Sequence, residues 1–72
     1  MHNKRLLEAQ FVIAGKTKSE VAESMGLNPN TLYRKINDGT FKLLEINQLI
    51  EILGIEDPAS IFFNLKIEPE EK

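Results

Sequence analysis

The chain contains no cysteine and no tryptophan, and only one histidine and one tyrosine. Without cysteine there is no disulfide, no thiolate metal site and no thiol nucleophile, which suits a reducing compartment. The single histidine, His2, stands at the N-terminal end and carries no assigned role. No glycine-rich phosphate loop is present. A chain of 72 residues also builds a core too small to enclose a pocket of about 300 Å³ around a poised acid or base. The expectation is therefore a protein that is not an enzyme and that uses no cofactor, no metal and no small-molecule ligand. No apolar run approaches the roughly 18 residues of a membrane span. The opening Met1-His2-Asn3-Lys4-Arg5 leads into no secretory h-region. A cytoplasmic protein with no membrane partner is expected. An excess of positive charge is missing too: nine Lys and Arg face eleven Asp and Glu, for a net charge of −2. The sequence pI of 5.3 lies well below the value of about 9 usual for nucleic-acid binders.

The charge is unevenly placed. Residues 1–42 sum to +3 and residues 43–72 to −5. A binding surface responds to local potential more than to the total, so the first 42 residues stay open to a polyanion.

Glycines divide the chain into short apolar-periodic segments. In the first, Leu7, Phe11 and Ala14 share one helix face, and Gly15 can end it. Thr17-Lys18-Ser19-Glu20 reads as a capping box: the Thr17 hydroxyl accepts from the Glu20 N–H, and the Glu20 carboxylate reaches back to the Thr17 N–H. Gly26 ends that second helix with a positive φ. Asn28 caps a third helix with Pro29 at its first position, where a missing N–H costs nothing, and the helix runs to about Asn37. Phe41-Lys42-Leu43 reads as an extended connection. Ile46, Leu49, Ile50 and Leu53 mark a fourth helix closed by Gly54, and Asp57-Pro58 starts a short fifth. Beyond it, Phe63, Leu65 and Ile67 alternate with polar residues, the period of an extended strand or arm. The fold class expected is all-α, with four to five short helices. The expected division is a helical domain over residues 1–64 and an arm with an acidic tail over 65–72.

Residues 17–37 carry the functional signal, because two helices of about eight residues joined by Gly26-Leu27-Asn28 have the spacing of a helix-turn-helix. Ala22 must be small where the second helix of the pair crosses it. Gly26 needs a conformation that a β-carbon disfavours. Leu27 plugs the angle, and Val21, Met25, Leu32 and Ile36 complete the shared core. With Leu32 and Ile36 inward, a wheel of about 100° per residue turns Asn30, Arg34 and Asn37 outward, flanked by Tyr33 and Thr31. That face is read as free of acids. Arg pairs with guanine O6/N7 and Asn with adenine N6/N7. Lys18, Ser19 and Asn28 lie at helix N-termini, which attract phosphate.

The stretch from Thr17 to Asn37 resembles the helix-turn-helix of the Cro/phage-repressor family, also called the XRE family. The continuation through Gly39-Thr40-Phe41, Glu45-Ile46, Ile52-Leu53-Gly54 and Ile61-Phe62-Phe63 is similar to small phage-encoded repressors of that family. The resemblance implies a lambda-repressor-like fold, binding of a double-stranded DNA operator as a homodimer, and a third helix lying in the major groove. Position by position, it implies base reading by Pro29, Asn30 and Arg34. Lys18, Ser19, Asn28, Thr31, Tyr33, Lys35 and Asn37 are expected along the DNA backbone. Three positions depart from the family pattern. Pro29 offers only apolar contact, for example to a thymine methyl. Lys35 stands where many members have an apolar core residue; either its stem is buried with its ammonium reaching out, or Ile36 takes over the packing. Leu44 stands where the fourth helix is usually capped by Ser or Thr.

Two further readings accompany this one. Phe62, Phe63, Leu65 and Ile67 are expected either to close the core or to form a dimer contact, with the strand pairing with its two-fold mate. The alternative function is a protein-interaction adaptor or antitoxin-like module built on the same helical fold, supported by the acidic second half and the Phe-rich end.

Overall fold

The computed structural model describes residues 4–62 and 66–68. Five helices and two three-residue strands follow in order: α1 Lys4–Ala14, α2 Lys18–Met25, α3 Pro29–Asp38, β1 Thr40–Lys42, α4 Leu43–Leu53, α5 Pro58–Phe62 and β2 Lys66–Glu68. No described helix is long and apolar enough to cross a membrane.

Local chemistry fixes the helix ends. The capping box at Thr17 forms in full: the Glu20 N–H donates to Thr17 Oγ1 at 3.0 Å and the Thr17 N–H to Glu20 Oε1 at 2.8 Å. A cap of this kind stabilises by about 1 kcal/mol, and hydrogen bonding to the Thr17 backbone N–H, then to the Thr17 side chain, holds the Glu20 carboxyl below its ordinary pKa. Asn28 caps α3 by accepting the Asn30 N–H at 2.8 Å, with Pro29 at the first position.

One core joins all five helices and β1. Leu7 and Phe11 enter from α1, Val21, Ala22 and Met25 from α2, Leu32 and Ile36 from α3, and Phe41 from β1. Leu49, Leu53, Ile55 and Ile61 close it from the other side. Burying an aliphatic side chain of this size fully is worth about 1.5–3 kcal/mol. For α3 the anchors are Leu32 and Ile36, both almost wholly buried.

The second half differs from the sequence reading at Leu43 and in the arm, and α4 starts differently from the family pattern, as Leu44 at the usual cap position implies. Phe41 and Lys42 are extended as expected, within β1 (Thr40–Lys42), whereas Leu43 already belongs to α4. Phe41 is wholly buried, which the single aromatic in a polar stretch did not announce. The fourth helix begins without a Ser or Thr cap. Lys42 holds the cap position and, having no acceptor, supplies only half a capping box. The other half is present, since the Glu45 carboxylate accepts the Lys42 N–H at 2.9 Å. Leu44 therefore lies inside the helix. Lastly, residues 66–68 of the expected arm do not extend from the body. They pair in parallel with β1 of the same chain, in the register Thr40 with Lys66, Phe41 with Ile67 and Lys42 with Glu68. A parallel pair needs a long crossover, and α4 and α5 supply it. Phe63 and Leu65, two of the expected dimer contacts, lie outside the described residues.

Candidate nucleic-acid interface

The turn between α2 and α3 is built from backbone bonds. Gly26 takes φ 73°, and its N–H donates to the carbonyls of Ala22 and Glu23. The Leu27 N–H donates to Ala22 at 2.8 Å. Ala22 is fully buried where α2 and α3 meet, and Leu27 packs half-buried against the core. The motif core expected at Val21, Ala22, Met25, Leu27, Leu32 and Ile36 is thus assembled as one unit.

On the outer side of α3, Asn30, Tyr33, Arg34 and Asn37 are exposed, and Pro29 and Thr31 are half-buried at its edges. Two neighbours that the sequence reading missed also stand there. Lys4, at the start of α1, donates from Nζ to Asn37 Oδ1 at 2.9 Å. The 33-residue separation left no local signal for this approach. Asp38 belongs to α3, one turn after Arg34, and its carboxylate lies 4.0 Å from the guanidinium. The face read as free of acids therefore has a carboxylate at its end. The signal was in the sequence, at the i,i+4 spacing that makes helix pairs. Both side chains are about half exposed, so the pair contributes little to stability.

The expected backbone contacts differ in what already engages them. Ser19 is exposed, and its Oγ lies 3.5 Å from the Tyr33 hydroxyl, so the start of α2 and the flank of α3 meet. Lys18 is half-buried. Its Nζ donates to Glu8 Oε2 at 2.8 Å and stands 5.8 Å from the centre of the Tyr33 ring. This hydrogen bond holds the Glu8 carboxyl below its usual pKa. The Asn28 side-chain oxygen is committed to the cap, leaving its amide NH₂ as the group able to donate to a phosphate.

Lys35 is a correction. It is 5% exposed, not a solvated flank, and its ammonium does not reach out. Nζ lies 2.9 Å from Glu68 Oε1 and 3.2 Å from Glu45 Oε1. Burial opposes the charge on Lys35, but the hydrogen bonds to Glu68 and Glu45 outweigh it and leave its pKa above the ordinary value. The same contact with Lys35 lowers the pKa of Glu68. An ammonium so enclosed is not a phosphate contact. With Lys35 withdrawn, Lys4, Lys18 and Arg34 are the cations placed at the outer face of α3 by contacts among the described residues; Glu8 pairs with Lys18 and Asp38 with Arg34, and Glu68 also lies within electrostatic reach of Arg34.

A second surface lies on the α4–α5–β2 side. Leu43, Ile46, Pro58, Ala59, Phe62 and Ile67 line an apolar hollow of about 340 Å³. Phe62 packs partly against the core, while Ile67 is 60% exposed. Of the expected dimer contacts, these two share this surface.

Comparison with protein-family models, with curated proteins and with solved structures finds no match for the chain.

Proposed function

We propose that the chain is a sequence-specific DNA-binding transcriptional regulator of the Cro/phage-repressor type, with a lambda-repressor-like fold. In this reading it is a cytoplasmic repressor of phage or prophage origin. Two copies bind a pseudo-palindromic operator, with half-sites about 34 Å apart. The observation that carries the reading is the pairing of α2 and α3 through the Gly26–Leu27 turn, which leaves Asn30, Arg34 and Asn37 exposed along one side of α3. Arg34 reads guanine and Asn30 adenine, while Pro29 offers apolar contact. Lys4, Lys18, Ser19, Thr31, Tyr33 and Asn37 line the phosphates, joined by the Asn28 amide at the α3 N-terminus. The apolar hollow bearing Phe62 and Ile67 supports a homodimer, and it equally supports the adaptor alternative. The two differ at α3, which an adaptor would leave untouched by DNA.

Titration of the ¹⁵N-labelled chain with duplex DNA at low salt tests this reading. Perturbations should concentrate on the amides of residues 17–19, 28–34 and 37, and spare those of α5. A footprint on α4 and α5, or none anywhere, defeats it.

A further inference from the structure

The outer side of α3 carries a guanidinium, and its buried side carries an ammonium. Lys35 Nζ is gripped by Glu68 of β2 and Glu45 of α4. The same Glu45 oxygen accepts the Lys42 N–H that starts α4. One turn beyond Lys35, the Gly39 carbonyl at the end of α3 accepts the Lys66 N–H at 2.8 Å. The last turn of α3, the first turn of α4 and the strand β2 therefore meet at one buried cation. Among the described residues β2 is otherwise held by its pairing with β1; Lys66 and Ile67 are both exposed, and the strand is only three residues long.

A buried ion pair is a weak source of net stability, because desolvation offsets most of its Coulomb attraction. Its better-attested use is to select one arrangement among several. Arg34 and Asn37 sit on the same turn of helix as Lys35, so a shift of that turn moves the groups that would meet base edges. Recognition tolerates an error of only about 0.5 Å in such groups.

We propose that Glu68 and Glu45 are positioning residues for DNA reading, and that β2 is a strap whose docking on Lys35 sets the attitude of α3 in the groove. The inference rests on α3 being the recognition helix. Displacing β2 leaves the helix-turn-helix assembled but weakens its sequence-specific affinity.

Two variants test the strap without substituting any residue of the outer face, and both remove the Glu68 charge that Arg34 feels: Glu68→Gln, and the apolar pair Lys35→Met with Glu68→Leu. The probes are a duplex selected from a random library on the unaltered chain and a shuffled duplex of the same composition. Residual dipolar couplings of the α3 amides, recorded without DNA, report the orientation of α3 relative to α1. Glu68→Gln should reorient α3 and lower affinity for the selected duplex about tenfold or more. Its affinity for the shuffled duplex should hold or rise, one negative charge having been removed. The apolar pair should return both the orientation and the selected-duplex affinity to near the unaltered values. The strap is overturned if α3 keeps its orientation in Glu68→Gln. It is equally overturned if α3 turns but selected-duplex affinity stays unchanged, or if the apolar pair restores the orientation without the affinity. If the unaltered chain selects no sequence, the recognition reading itself falls; the DNA-free couplings separate that failure from failure of the strap.

Discussion

Lys35 Nζ lies 2.9 Å from the carboxylate of Glu68, 33 residues further along the chain. The contact ties the inner side of α3 to the strand β2 and takes one cation out of contention for the DNA backbone. It makes residues 66–68 part of the domain, and it concentrates the electrostatics of α3 on the few charged groups near its outer face.

Removing the ammonium should cost more than a surface charge would. Lys35→Ala leaves the Glu45 and Glu68 carboxylates facing one another, with Glu45 only 7% exposed. Breaking a buried pair by deleting one partner typically costs about 3–5 kcal/mol. Urea denaturation should show a loss near the lower end of that range, because Glu68 is a third exposed. A loss under about 0.5 kcal/mol, the scale of an ordinary surface substitution, would mean that the pair is not closed in solution.

The docking of β2 should respond to pH on both sides of neutrality. The Glu68 pKa is lowered by Lys35, so its contribution is present above the unfolded value of about 4.3 and is lost as pH falls through the folded value. The Lys35 pKa is raised, so its contribution is complete below the unfolded value of about 10.4 and is lost as pH rises through the folded value. Protection of the Lys66 amide against hydrogen exchange should therefore form a plateau across neutral pH, after correction for the intrinsic rate. A steady change through pH 6–8 contradicts this assignment.

The first half of the fold was legible because its signals are local. The Thr17–Glu20 box, Gly26, the Asn28–Pro29 start and the Leu32–Ile36 spacing each act within one turn of helix. The parts that the sequence hid depend on distance. Phe41 is buried on a strand that pairs with β2 and packs on α4 and α3, and Lys35 is buried where Glu68 arrives from much further along the chain. Lys4 reaches Asn37 for the same kind of reason. Asp38 is the exception: its pairing with Arg34 is local, at the i,i+4 spacing, and follows once α3 runs on from Asn37 to Asp38.

The Arg34–Asp38 pair predicts opposite effects from neighbouring substitutions. Arg34→Ala should weaken binding of a selected duplex by roughly 1–3 kcal/mol. Stability should change by less than about 0.5 kcal/mol, since the side chain is exposed. Asp38→Asn should tighten binding, because it removes a carboxylate from the side that the proposed function turns to DNA and releases the guanidinium. Fluorescence anisotropy would read both. Weaker binding by Asp38→Asn would assign the carboxylate a reading role of its own.

Salt dependence separates the lysines. Each phosphate contact contributes about 0.9 to the slope of log affinity against log salt. Lys18→Ala should lower the slope in proportion, whereas Lys35→Met combined with Glu68→Leu, which keeps α3 in place, should leave it unchanged. A slope that falls for the apolar pair would place the Lys35 ammonium on a phosphate.

At the turn, a β-carbon on Gly26 would meet nothing within 4 Å, so the cost of Gly26→Ala is the left-handed backbone alone. That is about 1–2 kcal/mol, and Gly26→Asn should cost less because Asn tolerates this region. Thermal denaturation would rank the three. Equal stability of the Ala and Asn variants would contradict a purely conformational cost.

The central claim is that the outer face of α3 reads DNA sequence. Its most direct test is selection of duplexes from a random library at near-physiological salt, run in parallel on the unaltered chain and on Arg34→Ala. The account predicts an enriched pseudo-palindrome for the unaltered chain, with half-sites about one helical turn apart, and loss of preference at one symmetric pair of positions for Arg34→Ala. No enrichment over the input library, or the same motif from both proteins, would contradict it.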